Sequence, residues 1–342
     1  MTRQLSILVI AFLLTAHALD AQAPAPLSQD QLVAKLAATL DSLTAAGEFS
    51  GAVAVDRAGK RVFDRAYGVA DRATGRPNTV ETAFNIGSIN KVFTAIAIRQ
   101  LAAAGKLDLD SSLGHYWPEY PNPTARRATI RQLLDHQAGL GGSIFEAPPG
   151  GARHDIAHNR DYLQLFVNAP QAFEPGTSRR YCNTCYVVLG ILVERLSGED
   201  YYEYVQRHIY APAGMTHTRA YMVDSLPANA AIGYTRGEDE NAPPDAPLGP
   251  NTAMLPGRGS AAGGGYSTVG DLLLFLDALR AGKIPAGPAP GIGIAGGAPG
   301  LNAALEGELP GGYDVAVASN LDPPAAERIL RLVRQWLGAA AD

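Results

Sequence analysis

The sequence predicts an α/β protein (α+β in its arrangement) in which an antiparallel sheet is flanked by helices and carries a helical insertion. Stretches that favour strands lie near both ends of the chain, at 51–55 and 61–67 and again at 301–308 and 313–319. Helical spacing of apolar residues dominates the region between them, 88–226. A sheet built from both ends encloses the middle of the chain as an insertion, and we expect a cleft where the two parts meet.

The composition is that of a globular protein. The 342 residues are 46% hydrophobic and 18% charged, which is enough to bury a substantial core in one large or two joined domains. The formal net charge of −5 gives no electrostatic reason to expect nucleic acid or an anionic membrane as a partner.

The first residues, 1–23, are predicted to be a signal peptide. Arg3 supplies a positive start, residues 5–14 an apolar core, and Ala21-Gln22-Ala23 a cleavage site of small residues. The alternative, an anchoring helix, is disfavoured because the apolar run is well short of the roughly 20 residues that span a bilayer. We expect export to the periplasm or the medium, with no stable membrane insertion after the signal is removed.

The rest of the chain, 24–342, is predicted to form one domain with two parts. A sheet subdomain takes about 28–85 and 255–342, and a helical subdomain takes about 86–254. Residues that cap or break helices and strands mark the bounds of the other secondary-structure elements. They predict a helix at 27–46 before Gly47, a strand turn at Ala58-Gly59, a short helix from the Thr129–Gln132 capping box to Gly139, a helix at 184–196 closed by Gly198, a loop at 236–259, a helix at 272–279 capped by Thr268 and Asp271, irregular structure at 284–300, and a last helix at 324–337.

Ser88 and Lys91 form the first motif that carries chemistry. They are three residues apart at the start of a helical stretch, 89–104, so their side chains share one face. A lysine buried beside a helix N-terminus has a lowered pKa and can take a proton from serine. The alternative is a capped surface helix with an incidental lysine. Lysine is scarce here, with five in the chain, and Lys91 lies in a strongly apolar stretch where an unpaired ammonium would be costly.

Tyr181 and Asn183 form a second motif of this kind. A tyrosine near a lysinium is held partly ionised and shuttles protons, and an asparagine both orients an amide or ester and contacts Lys91. A core tyrosine followed by a capping asparagine is the alternative. The only two cysteines, Cys182 and Cys185, either form a disulfide or remain two buried thiols, because neither a redox fold nor a zinc site is supported around them.

The chain resembles the class C β-lactamase and serine D-Ala-D-Ala carboxypeptidase family, which also contains esterases. The resemblance is carried by Phe84 to Lys91, by 132–140, by 175–190, by Ala262 to Thr268, and by 296–300 with 317–320. It implies a β-lactamase/transpeptidase-like fold with Ser88 as the acylated nucleophile and Lys91 as its activator. It also implies Tyr181 with Asn183 as the proton relay, and an oxyanion hole from the backbone N–H groups of Ser88 and Gly297. The expected partner is a small ester, amide or lactam, and no metal or cofactor is needed.

The third family motif departs from the pattern. Family members usually carry Lys or His, then any residue, then Gly, where this chain has Ile294-Ala295-Gly296-Gly297. We expect Asn183, Ile294, Gly296 and Gly297 to contact substrate. Losing a charge-assisted hydrogen bond costs roughly 1.5–3 kcal/mol, which disfavours substrates held by a carboxylate.

Neutral esters are therefore the expected substrates. A β-lactamase, a D-Ala-D-Ala carboxypeptidase or a D-aminopeptidase is the first alternative, and Arg258, upstream of the glycine-rich segment, is a candidate to replace the missing cation. A catalytically silent protein that binds peptidoglycan fragments is the second alternative.

Two further patterns carry less weight. His154 and His158 have a helical i, i+4 spacing, but the zinc-protease pattern requires Glu after the first histidine, and solvated histidines are the preferred interpretation. The run 263–265 lacks the Gly-Lys-Ser/Thr ending of a phosphate loop, so its glycines are expected to permit close backbone packing beneath the helix capped by Thr268.

Overall fold

A five-stranded antiparallel sheet forms the centre of the structure, a computed structural model that describes residues 26–237, 243, 246–285 and 292–339. Its strand order is β2-β1-β11-β10-β9. Two strands come from near the N-terminus and three from near the C-terminus, so the predicted antiparallel sheet assembled from both ends is confirmed. The five strands are β1 (Gly51–Arg57), β2 (Lys60–Tyr67), β9 (Gly293–Ala298), β10 (Leu301–Leu309) and β11 (Tyr313–Ser319).

Side-chain alternation gives the sheet two different faces. In the central pair, Val53 lies opposite Val317 and Ala54 opposite Ala316. Because successive side chains point to opposite faces, the valines face one layer and the alanines the other. The valine face packs against two terminal helices, and the alanine face packs against the helical part of the chain, where small side chains admit the buried helices closely.

Most helices begin or end at their predicted caps. Thr129 forms its predicted capping box and Gly198 closes its helix in the left-handed conformation, while Ser28 forms a second capping box that was not predicted. The described helices are α1 (Gln29–Ala45), α2 (Asn90–Ala103), α3 (Leu113–Tyr116), α4 (Ile130–Leu134), α5 (Leu163–Phe166), α6 (Asn183–Ser197), α7 (Tyr201–Val205), α8 (Ala211–Ala213), α9 (Val269–Arg280) and α10 (Ala325–Trp336).

Six short strands connect these elements in pairs. β5 pairs with β8 and joins the segment before Ser88 to the glycine-rich segment. The short strands are β3 (Val69–Asp71), β4 (Arg76–Pro77), β5 (Phe84–Asn85), β6 (Tyr234–Thr235), β7 (Gly249–Pro250) and β8 (Tyr266–Ser267).

Two local predictions are wrong. The stretch predicted to be irregular contains β9, an edge strand rich in glycine and alanine whose conformation is set by pairing with β10 rather than by β-forming residues. The helix begun at Thr129 ends at Leu134, well before Gly139, because His136 adopts a φ of +62° and ends the helical hydrogen bonding.

The predicted signal peptide at 1–23 lies outside the described residues. Within the described ranges, none of the helices combines the length and the apolar character that crossing a bilayer requires.

Candidate active site

Ser88 lies in a tight turn immediately before a buried helix. The 3₁₀ helix Gly87–Ile89 runs directly into α2, and Gly87 has a φ of +49°, which a residue with a side chain adopts at a cost. Lys91 is in the first turn of α2 and is 3% exposed. The local spacing therefore brings hydroxyl and amine together, as the sequence predicts.

Three side chains meet at the Ser88 oxygen. Lys91 Nζ lies 3.0 Å from Ser88 Oγ, and the Tyr181 hydroxyl lies 2.7 Å from the same atom. Lys91 also donates to the backbone carbonyl of Ala262, which fixes the amine. Tyr181 precedes α6 and is far from Ser88 along the chain. The contact between them is therefore formed by the tertiary fold. The arrangement places an amine and a phenol within hydrogen-bonding distance of one serine hydroxyl.

Desolvation shifts the pKa values of Lys91 and Tyr181 in opposite directions, although the Tyr181 side chain is 57% exposed and only Lys91 is buried. Desolvation lowers the pKa of Lys91 from 10.5 to about 7, so a large share of the amine is neutral near neutral pH. Desolvation raises the pKa of Tyr181, and the hydrogen bond with Ser88 opposes this only in part. The expectation that a lysinium keeps Tyr181 partly ionised is therefore wrong. Near neutral pH, Lys91 is therefore able to accept a proton, and Tyr181 remains a protonated phenol.

The glycine-rich segment, 262–268, packs against the turn that carries Ser88. Gly264 N–H donates to the Gly87 carbonyl, and Ile86 N–H donates to Gly265 at 2.9 Å. A methyl group on Gly263 would lie 3.1 Å from the Gly87 carbonyl oxygen. These glycines permit close backbone packing as predicted, but the packing is against the Ser88 turn rather than beneath the helix capped by Thr268.

Strand β9 approaches the turn from the other side. A methyl group on Gly296 would lie 2.3 Å from the Ile86 carbonyl oxygen and 2.5 Å from Ser88 N, so only glycine fits there. Gly297 follows it and lines the same cleft as Ser88. Ser88 and Gly297 therefore border one cleft, which is a necessary condition for an oxyanion hole formed by their N–H groups.

A cleft of about 980 Å³ opens in front of Ser88. Its volume is at the upper end of the roughly 300–1,000 Å³ usual for ligand sites. Asn183 and Gly297 border it as predicted, and two arginines and two acids add charge of both signs. Other lining residues are Ile144, Phe145, Arg153, Tyr221, Val223, Arg236, Met254, Leu255, Asp322 and Glu327.

Two predicted contacts differ in the structure. Asn183 borders the cleft but makes no hydrogen bond to Lys91 among the described residues. Ile294 does not border the cleft. It lines a separate pocket of about 270 Å³ that also borders Lys91 and Tyr181.

Arg258 does not replace the missing cation of the third motif. Its guanidinium carbon lies 3.5 Å from the centroid of the Tyr202 ring, and its Nε donates to the Ala220 carbonyl at 2.8 Å. It is absent from the described lining of the cleft.

His136 is a site residue that sequence reasoning missed. Its ring lies 4.9 Å from that of Tyr181 and 5.2 Å from that of Tyr186, measured between centroids. Desolvation, with help from the charges of Lys91 and Arg179, lowers its pKa to about 4. The only sequence signal was its position inside the 132–140 family segment.

The structure also places the two cysteines and the histidine pair. Cys182 and Cys185 form a disulfide across the first turn of α6. His154 lies in the 3₁₀ turn Arg153–Asp155 and His158 precedes the 3₁₀ turn Asn159–Tyr162, so the two do not share one helix. The part of the chain that the structure describes contains no cluster of three or more His, Cys, Asp or Glu side chains able to hold a metal ion.

Comparison with known proteins agrees with this geometry. The family model described as Beta-lactamase matches residues 30–326. Esterase EstB of Burkholderia gladioli is 31% identical over 78% of this chain and 75% of its own length. Penicillin-binding protein 4 of Amycolatopsis lactamdurans is 30% identical over 63% of this chain and 55% of its own length. The chain spans about half the length of the penicillin-binding relatives that it matches.

A solved structure shows the same fold. The penicillin-binding protein of Bacillus halodurans superposes with a TM-score of 0.75 at 27% identity, covering 86% of this chain and 98% of that one. The chain belongs to the β-lactamase family of serine-dependent proteins, and the fold class predicted from the sequence is confirmed.

Proposed function

We propose that this protein is a serine hydrolase that cleaves small neutral esters, and more slowly amides, through an acyl-enzyme on Ser88. The observation that carries the proposal is the convergence of Lys91 Nζ and the Tyr181 hydroxyl on Ser88 Oγ, at 3.0 and 2.7 Å. A protein that only binds ligands has no use for a serine held between a base and a proton carrier. The complete relay therefore disfavours the silent binding protein.

The mechanism is defined by which groups take up and release protons. Neutral Lys91 takes the proton of Ser88 as Oγ attacks the carbonyl carbon, and the N–H groups of Ser88 and Gly297 hold the developing oxyanion. Tyr181 hands a proton to the leaving oxygen and recovers one from Lys91. Water then attacks the acyl-enzyme by the same steps in reverse. No step needs a group that this chain lacks.

The preference for neutral esters rests on Ile294. Its position in the third motif places an alkyl side chain beside Lys91 and Tyr181, where related proteins carry a cation. An alkyl group does not compensate a substrate carboxylate, so lactams and D-peptides lose an anchor that neutral esters never use. The similarity to esterase EstB is consistent with this choice.

Active-site labelling tests the assignment directly. Purified protein is treated with a fluorophosphonate probe, the modified peptide is identified by mass spectrometry, and turnover of p-nitrophenyl acetate and butyrate is measured in parallel. We expect a single adduct on Ser88, and loss of both adduct and turnover in Ser88→Ala. A matched control is Ser42→Ala, a change of the same size at an exposed position of α1. Labelling or turnover that persists in Ser88→Ala would refute the mechanism.

Substrate class is tested on the same preparation. Short-chain esters, nitrocefin and D-amino-acid amides are compared by kcat/KM. Faster turnover of nitrocefin or of the amides than of the esters would favour a β-lactamase or D-aminopeptidase. Tight binding without turnover of any of them would favour the silent binding protein.

We also propose that the protein is exported through residues 1–23. The support is the pattern of Arg3, the apolar run at 5–14 and Ala21-Gln22-Ala23. Expression in a bacterial host, followed by fractionation and N-terminal sequencing, should yield a periplasmic or medium form that begins near Pro24. A full-length chain retained in the cytoplasm would contradict export without affecting the assignment of Ser88.

A further inference from the structure

The pocket that contains Ile294, here called the back pocket, has a distinct place in the site. It borders Lys91 and Tyr181, whereas the larger cleft borders Ser88. Its volume is about 270 Å³, against about 980 Å³ for the cleft. The relay therefore lies between two cavities of unequal size.

The strand register explains why Ile294 faces the relay. Ile294 and Gly296 are two residues apart on β9, so both project from the same face of the strand. That face packs on the turn carrying Ser88, because a methyl group at Gly296 would meet Ser88 N at 2.5 Å. Ile294 consequently lies beside the helix that carries Lys91, and it packs partly buried against the main core.

The walls of the back pocket are mainly aliphatic. Val92 and Ile96 come from α2, Leu279 from the end of α9, and Ile292 and Ile294 from β9 and the residue before it. Arg99 also borders the pocket, but it follows Lys91 by eight residues on α2, about 12 Å along the helix axis. The rings of His136, which lies against Tyr181, and of Tyr186 also border the pocket, and aliphatic side chains form the rest of its wall.

The chemistry of acylation decides which half of an ester enters each cavity. As the bond from Ser88 Oγ to the acyl carbon forms, the bond from that carbon to the alcohol oxygen breaks. The departing oxygen takes a proton from the Tyr181 hydroxyl, which recovers the proton originally removed from Ser88. The alcohol must therefore lie against Tyr181, while the acyl group remains on Ser88.

We infer that the back pocket is the subsite for the alcohol portion of the ester, and that it takes an apolar alkyl alcohol of a few carbons. The acyl portion occupies the larger cleft. This inference rests on the proposed ester hydrolysis at Ser88. It adds a second consequence of isoleucine at position 294. Besides lacking the cation that related proteins carry there, the Ile294 side chain shapes the surface that selects the leaving alcohol.

A crossed series of esters tests the inference. One series keeps the acyl group as butyrate and varies the alcohol from ethyl through propyl to butyl, and the other keeps ethanol and varies the acid from acetate to hexanoate. Release of acid is followed by pH-stat, and kcat/KM is used because it reports acylation. Each rate is divided by the hydroxide-catalysed rate of the same ester. The variants are Ile294→Trp, Ile294→Ala and, in the cleft, Met254→Trp.

We expect kcat/KM of the native protein to rise about fourfold for each alcohol methylene, the value for burying one methylene. Ile294→Trp should abolish or invert the rise along the alcohol series, and Ile294→Ala should extend it to longer alcohols. Met254→Trp should leave the alcohol dependence intact and alter the acyl dependence. Titration of Ser88 with the fluorophosphonate probe corrects every variant for the folded fraction.

Two results would overturn the inference while leaving the proposed function standing. One is Ser88-dependent hydrolysis in which the Ile294 variants change the acyl dependence and Met254→Trp changes the alcohol dependence. The other is a preference for alcohols ending in a carboxylate that disappears in Arg99→Gln, which would make the subsite anionic in specificity. Hydrolysis unaffected by Ser88→Ala would instead refute the proposed function itself.

Discussion

The Nδ1 atom of His136 accepts a hydrogen bond at 3.2 Å from the backbone N–H of Cys182, the residue that follows Tyr181. The same imidazole ring lies beside the Tyr181 ring at 4.9 Å. His136 thus holds both the backbone and the ring of the segment that brings the phenol to Ser88. Its φ of +62° is unusual for a side chain of this size, so the surrounding fold must hold it in place.

Removing the imidazole should displace Tyr181. We expect His136→Ala to lower kcat/KM for short esters about 10- to 100-fold, because one buried N–H loses its acceptor at a cost of roughly 1–3 kcal/mol. His136→Asn tolerates the positive φ and retains an acceptor, so it should recover much of the loss. Equal defects in both variants, or a defect that follows only the melting temperature, would show that His136 acts on stability alone.

Protonation of Lys91 should cause the fall in kcat/KM at low pH. Because only its neutral amine accepts the Ser88 proton, and burial lowers the pKa of Lys91 to about 7, kcat/KM for a neutral ester should rise with pH and level off above about 8. Measuring p-nitrophenyl butyrate hydrolysis from pH 5 to 9 checks this. Lys91→Arg keeps the charge without a usable base and should be inactive throughout. A flat profile over this range would contradict Lys91 as the base.

Lys91 should also make folding stability depend on pH. The unfolded chain keeps this lysine protonated up to its ordinary pKa of 10.5, whereas the folded protein releases the proton above about 7. Between these values the unfolded state binds more protons, so the destabilisation by Lys91 is full below pH 7 and fades as pH rises. The excess stability of Lys91→Met over the native protein should therefore shrink by about 3 kcal/mol between pH 6 and 9.5. Urea unfolding of both proteins measures it, and a constant difference would contradict a buried, neutral amine.

The sequence was most informative where the pattern was local. The stretches 51–55 and 313–319 were enough to predict strands, because each is a short, largely apolar run with valines at alternate positions. The spacing of Ser88 and Lys91 fixed their common face, because residues three apart along a helix are neighbours. Both signals lie within a few residues of sequence, even though the strands pair with distant partners.

Features that depend on distant contacts were harder to predict. β9 is Gly-Ile-Ala-Gly-Gly-Ala, and it is a strand because β10 pairs with it and the Ser88 turn leaves room only for glycine. Tyr181 lies 93 residues from Ser88, so only the family resemblance linked them. His136 escaped notice because neither its positive φ nor its contact with Cys182 has a signature in the neighbouring sequence.

Gly296 should tolerate no side chain. A methyl group there would lie 2.3 Å from the Ile86 carbonyl oxygen and 2.5 Å from Ser88 N, so Gly296→Ala must shift β9 or the Ser88 turn. Losing one donor of an oxyanion hole costs about 10²- to 10³-fold in kcat, and we expect a loss of that order. Gly270→Ala is the control, because its methyl group would lie at an ordinary 3.7 Å from Thr268. Full activity of Gly296→Ala, with a folded state confirmed by circular dichroism, would rule out this oxyanion hole.

Restoring a cation at Ile294 should shift the substrate preference. Ile294→Lys places an ammonium beside Tyr181, where it meets the carboxylate of a lactam but has no partner in a neutral ester. The ratio of nitrocefin to p-nitrophenyl butyrate hydrolysis should rise, by up to roughly the hundredfold that one charge-assisted hydrogen bond supplies. Ile294→Met controls for the change of side-chain shape without charge and should leave the ratio near its native value.

Another cation near Ile294 could already hold a substrate carboxylate and so oppose the expected shift in substrate preference. Arg258 is committed to the Tyr202 ring and the Ala220 carbonyl, so it is not a substitute cation. Arg99 borders the same pocket as Ile294 and is the remaining candidate there among the described residues. If the native protein already hydrolyses nitrocefin faster than short esters, and Arg99→Gln removes only the nitrocefin activity, the cation has been relocated along α2 rather than lost. The preference for neutral esters would then be wrong, because the anchor for a carboxylate would still be present about two helical turns from Lys91.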